Sequence, residues 1–546
     1  MEYHSIDIPV PYENEDYTSH PNIMKQLFRS VVTAEDRCSV KHFLRESEKE
    51  LKSYEDEIRR LRSTIMALET KRNWLKSSVT RYNSLLSPIR SLPPEIMSMI
   101  FAFSCEANPL DVSHVPPAVT LSFVCAQWRT IVLSSPSLWS SISIDFEHWD
   151  MIPNLCGLES MTRLFLERSK KSPLTLVLRL PEPTSCEFRA SSALNALVDC
   201  ADRWYDITLL EPCWIGPSSP IFQGLRGRLP ILRSLHLNGA GPRDDHLKFD
   251  FFSSCPALDS LQIQPGDNQF GPEYPTNRLV LPWEQIKSLK MCDSFAPSAI
   301  SLLSQCPNVE TLGLSLVGGG AKYPRDVALD ALRSLSIEAR EQDDVSSIFQ
   351  STTLRNLSSI EIFGDLGEPT RDWPYWDGGA IENMISRSSC RITSLQLKWV
   401  PITDVQLVGL LDYIPTLESL HIEEYTTGPS RLQTNRIVTE YFLNHLALVQ
   451  EGGSGSEHYS FNRVFIPRLE DLSVVVHDIE MDLRALLKAV LSRYLPDPDH
   501  ASAVGIACIR SVGVIAMGRN SSGFDPFGSL ECLRAGGVRV RTSRLP

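Results

Sequence analysis

Residues 230–237 read Pro-Ile-Leu-Arg-Ser-Leu-His-Leu, and residues 256–263 read Pro-Ala-Leu-Asp-Ser-Leu-Gln-Ile. Each places aliphatic residues in the order L-x-x-L-x-L, with a proline two residues ahead of the first. The last two aliphatics have the period of a β-strand, in which alternate side chains point to one face. Outward from these stretches the pattern returns as Ile286/Leu289/Met291, Val309/Leu312/Leu314, Leu332/Leu335/Ile337, Leu357/Ile360/Ile362, Ile392/Leu395/Leu397, Leu417/Leu420/Ile422 and Leu469/Leu472/Val474. Trp204/Ile207/Leu209 and Ile509/Val512/Val514 are looser members. Aliphatic residues are common enough to give chance hits, so the prolines carry more weight. Pro230, Pro256, Pro307, Pro415 and Pro467 all stand two residues before the first aliphatic, a coincidence that random placement does not supply so often.

Starts at 232, 258, 286, 309, 332 and 357 lie 23 to 28 residues apart, the period of a leucine-rich repeat. Later gaps of 35 and 52 imply insertions; the second spans 423–466 and holds the run Gly452-Gly453-Ser454-Gly455-Ser456. An array growing in one direction also accounts for 546 residues without one oversized core. The expectation is a mixed α/β chain whose residues 204–546 form an irregular leucine-rich-repeat solenoid. Residues 147–203 serve as a linker with its first strands and helices. In such a repeat the residue between the last two aliphatics points outward onto the concave face. Those residues are His236, Gln262, Lys290, Gly313, Ser336, Glu361, Gln396, His421 and Ser473. They are polar or small, and suit either a protein-binding surface or a solvated sheet face. No asparagine ladder follows the strands. A helix near Ser529–Leu533 and a strand near Val538–Val540 would cap the array.

Upstream the composition changes. Residues 1–33 are acidic, polar and aperiodic, which predicts disorder. Residues 34–87 contain no Pro or Gly and carry a seven-residue period. Leu44, Leu51, Ile58 and Ile65 form one series, continued by Val79 and Leu86; Leu61, Leu68, Leu75 and Tyr82 form the other. Interleaved, these are the a and d positions of a coiled-coil helix, broken by Ser47 and Tyr54 at d and Arg72 at a. A stripe this long requires a cover: a second copy, another protein, or the chain's own core.

Residues 88–146 carry proline-punctuated apolar helices. Ser91 can cap a helix whose first turn holds Pro93 and Pro94, with Glu95 at its positive end. Ile96, Met99, Ile100 and Phe103 then share a face. A second helix over 118–133 aligns Leu121, Val124, Cys125, Trp128 and Ile131 or Val132, and Ser135-Pro136-Ser137-Leu138-Trp139 makes a turn that presents Leu138 and Trp139. So short a hairpin cannot bury these aromatics alone, and a partner surface is expected.

Leu92-Pro93-Pro94-Glu95-Ile96, then Ile100-Phe101, Val124-Cys125, Trp128 and Pro136-x-Leu138-Trp139 together resemble the F-box motif, in particular that of fungal, basidiomycete-like F-box proteins. The resemblance covers about a tenth of the chain and rests on some ten ordered positions. It implies a small three-helix F-box that docks on a Skp-type adaptor and through it a cullin. Leu92, Pro93, Ile96, Ile100, Phe101, Val124, Trp128, Leu138 and Trp139 would contact or support that adaptor. The departure is the connection over 104–118, which is long and proline-rich beside the compact family pattern.

Nothing in the chain points to chemistry. It has no P-loop, nucleophile elbow, H-E-x-x-H or strand-following G-x-G-x-x-G. Gly318-Gly319-Gly320 reads as a loop, and Cys255 and Cys306, just ahead of repeat prolines, read as buried repeat positions. Asp343-Asp344 and Glu423-Glu424 read as solvated loop charge. The 13 cysteines form no metal-ligand spacing, and no catalytic, metal or cofactor set is expected. A net charge of -13 argues against nucleic-acid binding, and no secretion signal or membrane span is read. The expected location is cytoplasm or nucleus. The expected role is the non-enzymatic substrate-recognition subunit of an SCF-type (Skp–cullin–F-box) ubiquitin ligase, its repeats holding an unknown protein substrate, with a homodimer through the coiled coil. The alternative is a coiled-coil and repeat scaffold without a ligase role, and a hydrolase within 423–466 is disfavoured.

Overall fold

A run of 52 residues without a helix breaker forms α1 (Ala34–Leu85), about 78 Å long at 1.5 Å per residue. The computed structural model describes residues 33–150, 156–180, 191–210, 220–239, 249–264, 279–316, 318, 326–364, 373, 375–426, 434–448, 464–476, 483–497, 499, 501, 505–517, 533–534 and 537–545. The expected disordered start, the glycine–serine run and most of the expected C-terminal helix lie outside these residues.

The chain divides into two units, Met1–Met97 and Ser98–Pro546. In the first, every a and d residue of the stripe from Leu44 to Leu86 is exposed apart from Ser47, and α1 is braced along its polar side by the i,i+3 pairs Glu46–Lys49, Asp56–Arg59 and Glu57–Arg60. Past α1, Pro88–Ser91 makes one 3₁₀ turn in which Ser91 donates its hydroxyl to the Pro88 carbonyl at 2.7 Å. The expected Ser91 cap is therefore replaced by Pro93, whose carbonyl accepts from Met97 N–H at 3.1 Å and opens α2 (Pro94–Ser104).

In the second unit, two short helices, α3 (Pro117–Val124) and α4 (Ala126–Ser134), stand where one helix over 118–133 is expected. Cys125 breaks it with extended backbone (φ -160°, ψ 171°), and the Arg129 guanidinium satisfies the freed Ser122 carbonyl at 2.9 Å. Beyond α4 the strands begin. Among the described residues, fourteen form one parallel sheet in chain order: β1 (Ser141–Asp145), β2 (Leu174–Arg179), β3 (Trp204–Leu210), β4 (Ser234–Asn238), β5 (Ser260–Gln264), β6 (Ser288–Ser294), β7 (Thr311–Leu316), β8 (Ser334–Ala339), β9 (Ser359–Gly364), β10 (Ser394–Lys398), β11 (Ser419–Glu423), β12 (Asp471–Val476), β13 (Ser511–Met517) and β14 (Arg539–Leu545). All eleven sequence-nominated repeats supply a strand, and none of their aliphatic positions is more than 3% exposed. β1 and β2 precede the first repeat read from sequence, and β14 covers the expected last strand.

The other side of the aliphatic layer is closed by helices that bury their own apolar faces, such as Ala380, Ile381, Met384 and Ile385 on the helix Gly379–Ser388. One backbone device repeats along the array. The carbonyl just before the first strand residue accepts two N–H groups from the next repeat: Arg233 O from Asp259 and Ser260, Asp259 O from Lys287 and Ser288, and so on to Glu470 O from Arg510 and Ser511. Consecutive strands are thereby locked in register, which aligns Ser234, Ser260, Ser288, Thr311, Ser334, Ser359, Ser394 and Ser419 in one row. Each of these small hydroxyl residues directly precedes the middle aliphatic of its repeat.

Of the paired acids only Asp343 is exposed, and it stands in a helix's first turn and not in a loop; the other three are withdrawn from solvent. Asp344 is fully buried in the first turn of Gln342–Gln350, with its carboxyl pushed up to about 6 by burial. Glu424 is 7% exposed and accepts from Ile437 N–H and Val438 N–H, both at 2.9 Å, so it holds down the insertion that follows β11. Glu423 accepts from Trp399 Nε1–H at 2.9 Å. Glu423 and Glu424 tolerate burial because indole and backbone donors replace water. Asp344 Oδ1, by contrast, has no hydrogen-bond partner among the described residues, in keeping with a carboxyl that holds its proton. Cys255 and Cys306 are interior, as their repeat positions implied, and burial pushes both thiols up to about 12, out of nucleophilic range.

Candidate functional site

The segment from α2 to β1 buries one set of apolar residues and leaves another in water. Along α2, Ile96, Met99, Ile100 and Phe103 fall at three- and four-residue spacing, and all are exposed, Phe103 at 73%. Phe123 at 70% and Val124 at 55% are exposed at the end of α3, and Leu133 is exposed on α4. Large apolar side chains left so open in so short a segment are more than an isolated surface residue and make this segment the first candidate surface.

Beneath this surface the ring of Phe101 packs against Trp128, centroids 4.8 Å apart at 57°. Of the residues nominated for docking, Pro93, Ile96, Ile100 and Val124 are exposed and Leu92 and Trp128 are half-buried. Phe101, Leu138 and Trp139 are interior, at 1%, 2% and 0% exposure, and cannot touch an adaptor directly. The turn Pro136–Trp139 thus does not present Leu138 and Trp139 to solvent; it feeds them into the repeat core.

Trp139 shows why. Its indole N–H donates to the Val132 carbonyl, seven residues back, at 2.9 Å. Trp204 makes the same bond to Leu197, seven residues back, at 3.0 Å. Trp139/Ile142/Ile144 is therefore a repeat of the same kind as Trp204/Ile207/Leu209, and one tryptophan closes both the helical segment and the first strand's core. Phe165 meets it edge-on at 5.0 Å, and the Arg168 guanidinium sits 4.4 Å from its ring centre.

The long connection after α2 has a definite place. Asn108, fully buried, donates its amide to the carbonyls of Cys105, Leu138 and Ser141 and accepts from Ala118 N–H at 3.0 Å. Its backbone carbonyl accepts from Ser143 N–H, Leu110 N–H donates to Ser143, and Trp149 Nε1–H donates to Leu110 at 2.7 Å. The connection thus runs along β1 and covers the outer edge of the sheet, whose backbone groups would otherwise be unpaired. No sequence signal distinguished Asn108, because its role depends on four segments meeting.

The polar sheet face is the second candidate surface. His236, Gln262, Ser336, Glu361, Gln396, His421 and Ser473 are half-buried there, and Lys290 is exposed. Paired β9 and β10 put Gln396 Nε2 at 2.8 Å from Glu361 Oε1, so those two side chains meet. His236 lies 3.0 Å from Ser234 Oγ and 3.4 Å from Thr208 Oγ1. Burial, reinforced by the nearby Lys398 charge, holds His421 below the usual histidine range, and its Nε2 is 3.8 Å from a Glu423 oxygen. These are lateral contacts within one row of strands. Among the described residues no cluster of histidine, cysteine, aspartate or glutamate has the makings of a metal site, and no helix is long and apolar enough to cross a membrane.

No curated protein matches the chain. A solved structure titled "Crystal structure of TLR13-ssRNA13 complex" aligns at 14% identity over 76% of this chain, with a TM-score of 0.29, too low to bear on the fold. The alignment spans about half of that chain, 52%. Residues 89–145 match the family described as F-box-like, over the stretch that contains α2, α3, α4 and β1. The protein carries an F-box-like domain at residues 89–145.

Proposed function

We propose that this chain is the substrate-selecting subunit of an SCF-type ubiquitin ligase in the cytoplasm or nucleus. The F-box-like segment docks on a Skp-type adaptor and through it a cullin. The repeats form a leucine-rich-repeat solenoid whose polar strand face holds a protein substrate. The chain itself forms and breaks no covalent bond; it raises the effective concentration of substrate beside the ubiquitin-charged partner. The observation that carries the reading is the F-box-like match at 89–145 together with the exposed apolar side chains of Ile96, Met99, Ile100, Phe103 and Val124 inside it. The strand face supports the substrate role through its chemistry: from His236 to Ser473 it presents polar side chains broken only by Gly313, some of them hydrogen-bonded laterally as Gln396 is to Glu361.

The test is capture of purified Skp-type adaptor by the full chain. Leu92→Ala with Pro93→Ala, and separately Phe103→Asp, should each lower capture at least tenfold while circular dichroism stays unchanged, because none of the three side chains is buried. Failure of the unaltered chain to bind the adaptor would overturn the reading and leave a coiled-coil and repeat scaffold.

A further inference from the structure

Helix α1 carries its apolar stripe in water along its whole length, with Leu51 59%, Ile65 55% and Leu75 57% exposed. What covers the stripe can be read from the charges flanking it. With Leu44, Leu51, Ile58, Ile65, Arg72 and Val79 at a, the charged e and g positions are Glu48, Glu50, Glu55, Glu57 and Arg62 in the first half, and Glu69, Lys71 and Lys76 in the second. The first half is net negative and the second net positive along the same seam, with Arg62 and Glu69 near the middle running the other way.

We propose that α1 dimerises with a second copy of this chain as an antiparallel coiled coil. A parallel, in-register pair gains Glu57 against Arg62 of the other copy, but sets Glu50 against Glu55 and Lys71 against Lys76, and buries Arg72 against Arg72 in the seam. Reversing one helix removes all three conflicts. When Ile65 faces Leu61 of the other copy, Ile58 meets Leu68, Leu51 meets Leu75, and Arg72 meets Tyr54, a ring that tolerates a cation. In that register Lys71 falls between Glu50 and Glu57 of its mate and Lys76 between Glu48 and Glu55, four attractive neighbours per helix. They outnumber the like-charge contacts left near the centre, Glu69 beside Glu55 and Arg62 beside Arg62, where Arg62 also meets Glu69. The symmetry centre lies at residue 63, so the two Leu85 ends stand about 65 Å apart, and the segments that follow α1 leave at opposite ends of the rod. A parallel pair would release them side by side.

Sedimentation of the full chain tests this, one copy weighing 61.3 kDa. The unaltered protein should run as a dimer. Lys71→Glu with Lys76→Glu should weaken self-association about 100-fold, since each lysine trades two attractive neighbours for two repulsive ones on both sides of the two-fold. Changing Glu48, Glu50, Glu55 and Glu57 to Lys should do the same, and mixing the two variants should restore a dimer. Circular dichroism of each variant confirms that α1 is intact. A monomeric native chain overturns the proposal. So does an unchanged dimer for the lysine variant, because the parallel pair merely exchanges one like-charge contact for another.

Discussion

Truncating Trp139 to alanine separates a core residue from a docking residue. The side chain is wholly buried, and Trp→Ala truncations in such sites cost about 3–5 kcal/mol through lost transfer energy and cavity. Two further losses apply: the Val132 carbonyl loses its indole donor, about 1 kcal/mol, and Arg168 and Phe165 lose the ring they face. The sum is about 4–6 kcal/mol. In a repeat array each repeat is stabilised mainly by its neighbours, so the damage should stay near β1 and β2 instead of melting the whole sheet. Hydrogen exchange read by mass spectrometry is the matching assay. Amides of α4, β1 and β2 should exchange on the order of 1000-fold faster, and those of β10 to β13 should keep their native rates. Trp204→Ala should produce the same signature centred on β3. If Trp139→Ala left β1 protection intact but abolished adaptor capture, Trp139 would be a contact residue and its equivalence to Trp204 would be mistaken.

Two further outcomes follow from buried charge. Burial raises Asp344 to about 6 in the folded chain, against about 3.9 when unfolded. Between those values the folded chain keeps a proton that the unfolded chain has released. The contribution is therefore complete below about pH 4 and is lost as pH rises through about 6, by roughly 2–3 kcal/mol. Asp344→Asn should flatten that part of the stability profile, measured as urea midpoints at pH 4.5 and 7.5; parallel profiles for the two proteins would refute it. Arg493 is fully buried and donates to the carbonyls of Leu446, Ile466 and Phe465, joining the end of the helix Glu440–Leu446 and the Phe465–Ile466 backbone to the helix Leu483–Ser492. Arg493→Met should destabilise that region by about 3–5 kcal/mol, because three buried acceptors lose their donor together. Faster proteolysis near residues 446–466 is the readout, and wild-type resistance would count against the assignment.

The strands of the repeat array were legible one by one, because L-x-x-L-x-L with a preceding proline is a local pattern and each repeat buries the same three positions. The seven-residue stripe of α1 was equally local. The F-box-like segment was legible as an ordered set of residues, and its exposed members, Ile96, Ile100 and Val124, follow from helical spacing. What tertiary structure alone decided is which apolar residues of that set go inside. Leu138 and Trp139 look like the rest of the motif in sequence, yet the adjacent strand β1 claims them for the first repeat's core. Asp344 and Glu424 looked like solvated acids for the same reason. Whether a charge is buried depends on donors brought from distant segments, as Ile437 and Val438 are brought to Glu424. Asn108 is the extreme case, since its four partners come from four stretches of chain and no one of them hints at the others. Periodicity records which way a side chain faces within its own element; only the meeting of elements determines what stands opposite.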